Sequence, residues 1–95
     1  MNYQVRSACY RNIFSFYHHV AKKYKHTYSA SLMHKNIDEA IDAMYCIEKD
    51  LLRRRPTIAR WEGFHMAHAG HWYYAYSING DTITIEDACH EQNMR

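Results

Sequence analysis

The dipeptide Asn79-Gly80 constrains the fold of this 95-residue chain more than any other feature of its sequence. It separates two segments, residues 72–78 and 82–86, that are rich in aromatic and β-branched side chains. Asn-Gly is the preferred pair in two-residue turns whose central residues need positive φ angles, and such turns join antiparallel strands. The sequence therefore predicts a β-hairpin that turns at Asn79-Gly80.

The register of this hairpin determines which side chains reach the core. One face is largely apolar, and its cross-strand pairs are Tyr76 with Ile83, Tyr74 with Ile85, and Trp72 with Asp87. The other face is more polar, and its pairs are Ser77 with Thr82, Ala75 with Thr84, and Tyr73 with Glu86. Since side chains alternate along a strand, we expect the first face to pack inward and the second to be open to solvent.

A third strand precedes the hairpin, and its register depends on the turn that joins it. A two-residue turn at Ala69-Gly70 would bury His65 and leave Phe64 and Met66 in water. A three-residue turn at His68-Ala69-Gly70 would direct Phe64 and Met66 inward instead. Because burial of apolar side chains favours folding, we prefer the three-residue turn. His65, His71 and His90 then share the open face with Tyr73.

The first half of the chain predicts a short strand and two helices. Residues 2–6 alternate weakly, as in a strand, and residues 8–25 have apolar side chains at helical spacing. A second helix runs to about Leu52 and ends before Pro56. The prediction is a single α+β domain, residues 1–95: a short N-terminal strand, a helical hairpin, and a three-stranded antiparallel meander with the helices on one sheet face.

Composition and cysteine usage restrict the compartment and the class of protein. Hydrophobic residues make up 47% of the chain and charged residues 23%, as in an ordinary globular domain. No apolar run approaches the roughly 18 to 20 residues that cross a bilayer, and the N-terminus lacks a signal-peptide pattern. Three widely spaced cysteines indicate reduced thiols. We therefore expect a cytoplasmic protein with no membrane partner.

Charge is distributed unevenly along the chain although the net charge is only +2. No acidic residue precedes Asp38, and a basic cluster follows at Arg53, Arg54, Arg55 and Arg60. Such clusters bind polyanions, but they also solvate helix faces and helix ends. Charge alone leaves both interpretations open.

The spacing His65-x-x-His68-x-x-His71 resembles a set of metal ligands. Residues three apart on a strand point to opposite faces, so the three rings do not converge without help from the turn. No cysteine or carboxylate lies at a supporting short spacing. The sequence therefore predicts neither a metal site nor a cofactor.

The order of elements and the segment WYYAYSINGDTITIEDACHEQNM resemble the RelE/ParE superfamily of bacterial toxins. Members of that superfamily have a first strand, a helical hairpin that ends near a proline, and a three-stranded meander. The matching positions are Tyr74 to Tyr76, Gly80-Asp81, Ile83 to Ile85, His90 and Gln92, with Glu39 to Ile41 leading through Leu52 to Pro56 in the second helix.

The resemblance implies a toxin from a toxin–antitoxin pair, held inactive by a cognate antitoxin protein. RelE-like members bind the ribosome and cut mRNA there, whereas ParE-like members bind DNA gyrase and cut nothing. We expect the first activity, ribosome-dependent cleavage of mRNA that arrests growth. The alternatives are a gyrase inhibitor and an inactive homologue that only binds its antitoxin.

The resemblance also implies a site. Metal-free attack by a ribose 2′-hydroxyl on phosphate needs proton transfer and fixed positive charge. In this hypothesis His90 and His65 exchange protons, and Tyr73 and Glu86 orient them. The expected RNA- and phosphate-binding residues are Arg53, Arg54, Arg55, Arg60, His71 and Arg95.

Overall fold

A computed structural model describes residues 2–47 and 55–94 of the chain. The described elements follow one another as β1 (Asn2–Val5), α1 (Ser7–Lys23), α2 (Ala30–Met44), β2 (His65–Ala69), β3 (Trp72–Asn79) and β4 (Thr82–His90). Short 3-10 helices lie at Ala59–Trp61 and Glu91–Asn93. The α+β class and the predicted order of elements along the chain are confirmed.

The sheet has four strands in the spatial order β1-β4-β3-β2 and is mixed. Strands β2, β3 and β4 form the predicted antiparallel meander, but β1 pairs with β4 in parallel. The prediction of a three-stranded antiparallel sheet was therefore incomplete. Tyr3 and Val5 pack against the core from β1, and this packing stabilises the pairing of the short strand with the sheet.

Each described helix buries one stripe of side chains. In α1 the buried residues Cys9, Ile13 and Tyr17 recur every four positions. The helix α2 begins after Ser29, whose hydroxyl accepts a hydrogen bond from the Leu32 N–H at 3.1 Å. It ends at Met44, earlier than the predicted Leu52, and residues 48–54 lie outside the described residues. Neither described helix has the length and apolar character needed to cross a membrane.

The main core lies between the two helices and one face of the sheet. Trp72, Tyr74 and Tyr76 reach it from β3, as the apolar face of the hairpin predicts. Buried N–H and O–H groups need hydrogen-bond partners, and the polar tips of Tyr74 and Trp72 have them inside the core. The Tyr74 hydroxyl donates to the Ala40 carbonyl at 2.7 Å, and the Trp72 indole N–H donates to the Tyr17 hydroxyl at 2.8 Å.

The predicted hairpin register was wrong by two residues. Asn79 pairs with Thr82, so the turn residues are Gly80 and Asp81. Of these two turn residues, only Gly80 takes a positive φ, +60°, as at the first central position of a type II′ turn. Because a two-residue shift preserves alternation, Tyr76 still faces the core, now opposite Ile85.

A β-bulge then changes the alternation along β4. Tyr76 pairs with Ile85, but Ala75 pairs with Asp87, which leaves Glu86 as the extra residue. Beyond the bulge, Ala88 and His90 face the helices beside Tyr74 and Trp72. The sequence prediction placed His90 on the opposite face because a bulge has no clear signal in this sequence.

The turn between β2 and β3 was also predicted wrongly. Ala69 pairs with Trp72, so a two-residue turn at Gly70-His71 replaces the preferred three-residue turn. This register directs Ala67 toward the helices and Met66 toward the other face. The burial argument failed because that other face is not open to water.

A second, smaller core covers the face of the sheet opposite the helices. The chain that follows residue 55 crosses this face and inserts Ile58 and Trp61. Met66, Ala75 and Cys89 complete the buried cluster from the sheet. The expectation of an open, histidine-bearing sheet face is therefore wrong.

Candidate functional site

The two histidines expected to exchange protons do not meet. His65 pairs with Tyr76 and His90 pairs with Trp72, so they lie on opposite sides of β3 and four residues apart along it. Strand spacing and the rise per residue give a separation of roughly 16 Å. Direct proton transfer needs hydrogen-bond distance, so this part of the hypothesis is wrong.

Tyr73 and Glu86 do not orient His65 either. Tyr73 pairs with Cys89, and its ring stacks on His68 with the centroids 4.2 Å apart. The Glu86 carboxylate accepts hydrogen bonds from Arg6 Nε at 2.9 Å and from the Ser77 hydroxyl at 3.1 Å. The predicted cluster is absent because both turns lie later in the chain than predicted and the bulge shifts the register between β3 and β4 by one further residue.

His90 lies under α1, with only 8% of its surface exposed. Its ring stacks on Phe16 with the centroids 3.9 Å apart, and Trp72 meets it edge-on. The ring atom Nδ1 accepts a hydrogen bond from the Gln92 N–H at 3.2 Å, so the neutral ring carries its proton on Nε2. Burial lowers the pKa of His90, which favours this neutral form. The group is suited to donate a hydrogen bond more than to abstract a proton.

His71 and Glu91 connect the turn after β2 to the end of the chain. His71 Nδ1 and Glu91 Oε1 lie 2.8 Å apart, and the Glu91 N–H donates to the His71 carbonyl at 2.8 Å. The hydrogen bond from His71 lowers the pKa of Glu91. His71, predicted to bind phosphate, is exposed but is engaged by this carboxylate.

Of the arginines predicted to bind phosphate, the structure describes Arg55 and Arg60. Arg53, Arg54 and Arg95 lie outside the described residues. Arg55 is exposed, whereas Arg60 has defined partners at the end of β4. Its Nη2 donates to Cys89 Sγ at 3.2 Å, and its Nε lies 3.7 Å from Asp87 Oδ2.

A groove of about 760 Å³ runs between α1 and the C-terminal end of β4. It forms where β1 stops, because β1 pairs with β4 only as far as Ile85. The polar groups most useful to a ligand there are His19, Lys23, Arg60, His90, Gln92 and Asn93. Among the described residues that line the groove, none is a carboxylate.

The electrostatics of the groove favour an anionic ligand. Lys23 and Arg60 supply positive charge, and the Nε2–H of His90 is a further donor. Tyr24, half exposed, offers a ring on which a planar group could stack. Neither His19 nor Lys23 is among the residues that the sequence predicted to bind a ligand. Their spacing of four, which places both on one face of α1, was the available signal.

The histidines of the His65-x-x-His68-x-x-His71 segment are dispersed. His65 faces the helices beside Tyr76, His68 lies on the opposite face, and His71 is in the turn. Within residues 2–47 and 55–94, no three side chains among histidine, cysteine, aspartate and glutamate are placed to hold a metal ion.

Comparison of the chain with protein-family models, with curated proteins and with solved structures gave no match.

Proposed function

We propose that this chain is a RelE/ParE-type toxin that arrests growth by acting on ribosome-bound mRNA held in the groove beside α1. The observation that carries the proposal is the charge of the groove. Lys23, Arg60 and His90 line it, and no carboxylate is among its described lining residues. RNA phosphates are bound by such cations and N–H donors.

In this proposal the groove residues bind and polarise the backbone of the RNA. Lys23 neutralises a phosphate, and His90 donates its Nε2–H to a phosphate oxygen. Tyr24 stacks on an unpaired base. The ribose 2′-hydroxyl attacks the neighbouring phosphate and expels the 5′-oxygen of the next nucleotide, leaving a cyclic phosphate. Water takes the hydroxyl proton and protonates the leaving oxygen, while the groove stabilises the charge of the transition state.

A cognate antitoxin is the protein partner in this proposal. Phe14 and Leu32 lie on the helices and are each 41% exposed, which offers apolar contacts for such a partner. Binding there would leave the toxin folded and would keep it from the ribosome.

The first test reverses one charge inside the groove and one outside it. We expect Lys23→Glu to relieve growth arrest when the chain is expressed without a partner, because a carboxylate there repels phosphate. Lys35→Glu is the matched control, since Lys35 is exposed on α2 and does not line the groove. Growth curves and transcriptome-wide mapping of RNA 5′ ends measure the two effects. Equal toxicity of both variants would exclude the groove as the mRNA site.

A ParE-like gyrase inhibitor is the second candidate, and the scattered histidines favour it. Because His65 and His90 do not converge, the described part of the chain lacks the acid–base pair that was expected of a nuclease. Plasmid supercoiling measured in the same arrested cells separates the two. Codon-phased mRNA cuts support the first proposal, and lost supercoiling with intact mRNA supports the second. Absence of any growth effect would identify an inactive homologue.

A further inference from the structure

Asp87 lies directly after the bulge in β4, where its side chain is aimed away from the main core. At the bulge, Ala75 pairs with Asp87 while the next residue of β3, Tyr76, pairs with Ile85, so Glu86 has no partner position on β3. Bulges re-aim side chains and are frequent beside active sites. The position of the Asp87 carboxylate, in contact with the groove-lining residues Asn12 and Arg60, is therefore a product of this irregularity.

Three hydrogen-bond donors from three elements fix the Asp87 carboxylate. Oδ1 accepts from Asn12 Nδ2 at 2.9 Å and from the Ala88 N–H at 2.9 Å. Oδ2 accepts from the Trp61 indole N–H at 2.8 Å. The carboxylate connects α1, β4 and the 3-10 helix Ala59–Trp61, and it cannot rotate without breaking one of these bonds.

The same carboxylate faces the Arg60 guanidinium. Oδ2 lies 3.7 Å from Arg60 Nε, while Nη2 of the arginine donates to Cys89 Sγ at 3.2 Å. The guanidinium also lies 5.9 Å from the Trp61 ring centroid. These contacts engage Nε and Nη2, and none within residues 2–47 and 55–94 engages Nη1. Arg60 is half exposed and lines the groove, so its remaining N–H groups are available to a ligand.

We propose that Asp87 is a positioning residue that holds Arg60 as a fixed two-pronged donor for an RNA phosphate. The inference rests on the proposed function and deepens it. By charge alone a carboxylate at the end of an RNA groove weakens binding. A preorganised arginine loses little conformational freedom when it binds a phosphate. The carboxylate is therefore explained if holding the guanidinium in place improves the free energy of RNA binding by more than its repulsion of phosphate weakens it.

This explanation and simple electrostatics predict opposite signs for one substitution. Asp87→Asn removes a negative charge beside the groove, so electrostatics alone predicts tighter binding of RNA. The asparagine amide, placed toward Trp61 and Arg60, cannot pair with the guanidinium. We therefore expect Asp87→Asn to weaken binding of a short fluorescent single-stranded RNA to the purified chain by about tenfold, the size of one charge-assisted hydrogen bond.

Two further variants separate positioning from charge and from folding. Glu62→Gln removes one negative charge from an exposed residue that does not line the groove, and we expect it to leave binding unchanged or slightly tighter. Arg60→Lys keeps the charge and loses the planar fork, and we expect it to weaken binding as much as Asp87→Asn does. Because Asp87 acts through Arg60, the double variant should be no weaker than Arg60→Lys alone.

The outcomes distinguish this inference from the proposed function. Weaker binding by Asp87→Asn, with a circular dichroism spectrum like that of the unsubstituted chain, supports the inference. Unchanged or tighter binding by a folded Asp87→Asn overturns it, and so does an Arg60→Lys variant that binds like the unsubstituted chain. An Arg60→Lys variant that binds RNA like the unsubstituted chain overturns the inference even if Asp87→Asn fails to fold. If the unsubstituted chain does not bind RNA, or if Lys23→Glu does not weaken binding, the proposed function fails together with this inference.

Discussion

The environment of His90 shows how a single side chain is tuned by its neighbours. Phe16 stacks on one side of the ring, Trp72 meets its edge, and a backbone N–H occupies Nδ1. Adding a proton would charge a ring that is largely removed from water and would end the bond from Gln92, because Nδ1 would become a donor. His90 is therefore a group whose charge the folded state opposes.

This environment predicts a pH dependence of stability. The pKa of His90 is lowered in the folded state from its ordinary value of 6.5, so the unfolded chain binds the proton more tightly. Stability therefore falls as the pH drops below that value and is restored above it. We expect His90→Asn, which keeps an acceptor near Nδ1, to reduce the loss of unfolding free energy between pH 7.5 and pH 5.5.

Urea denaturation of the unsubstituted chain and of the His90→Asn variant at pH 7.5 and pH 5.5 measures the loss of unfolding free energy. The pKa of Glu91 is also lowered, but its ordinary value of 4.5 places its main contribution below this window. An equal loss of stability in both proteins would show that His90 is not the group responsible.

At the residue scale, the sequence predicted the core better than the candidate site. Alternation placed Tyr74 and Tyr76 inward correctly, because apolar and aromatic side chains identify a buried face without exact pairing. It placed His90 on the wrong face, because one extra residue at Glu86 reverses every side chain beyond it. It did not anticipate Asp87 as a partner of Arg60, since that contact joins segments distant in sequence.

Turns and caps define the elements of this fold, and the residues that form them are local. Gly70 and Gly80 each take a φ of +60° at the start of a two-residue turn. The sequence identified both glycines as turn residues but placed the turns too early, at His68-Ala69-Gly70 and Asn79-Gly80, because a glycine can occupy more than one position of a tight turn. Helix α2, by contrast, begins at a residue whose side chain caps it.

The cap of α2 gives a prediction at this scale. Ser29→Ala removes the hydroxyl that accepts from the Leu32 N–H, so we expect a loss of about 1 kcal/mol in unfolding free energy. The control is Ser31→Ala, because Ser31 is exposed inside the first turn of α2 and alanine is the better helix former. Chemical denaturation compares the two variants. A Ser29→Ala protein as stable as the Ser31→Ala protein would show that the cap contributes nothing.

Covering both faces of the sheet is the main property of the whole molecule that its sequence did not predict. Alternation in β2 and β3 was consistent with one buried face and one wet face, and the segment after Pro56 had no periodicity to show that it packs. Trp61 and Ile58 nevertheless seal the second face over Met66. Long-range packing of this kind is set by the whole fold and not by a local pattern.

The second core can be tested through Met66, which is 2% exposed. We expect Met66→Ala to cost about 2 to 4 kcal/mol of unfolding free energy, because it leaves a cavity in a packed cluster. Leu32→Ala is the control on an exposed site, and we expect it to cost less than about 1 kcal/mol. Thermal and urea unfolding measure both. If the two losses are equal, the second face is not a packed core in solution.

The parallel pairing of β1 with β4 has a consequence for synthesis of the chain. Asn2 pairs with Thr82, so β1 cannot join the sheet until eighty further residues have been synthesised. At translation rates of roughly 5 to 20 residues per second, this interval lasts at least about four seconds. Since the end of β4 also forms one wall of the groove, a nascent chain has no finished groove until residues up to His90 have been synthesised.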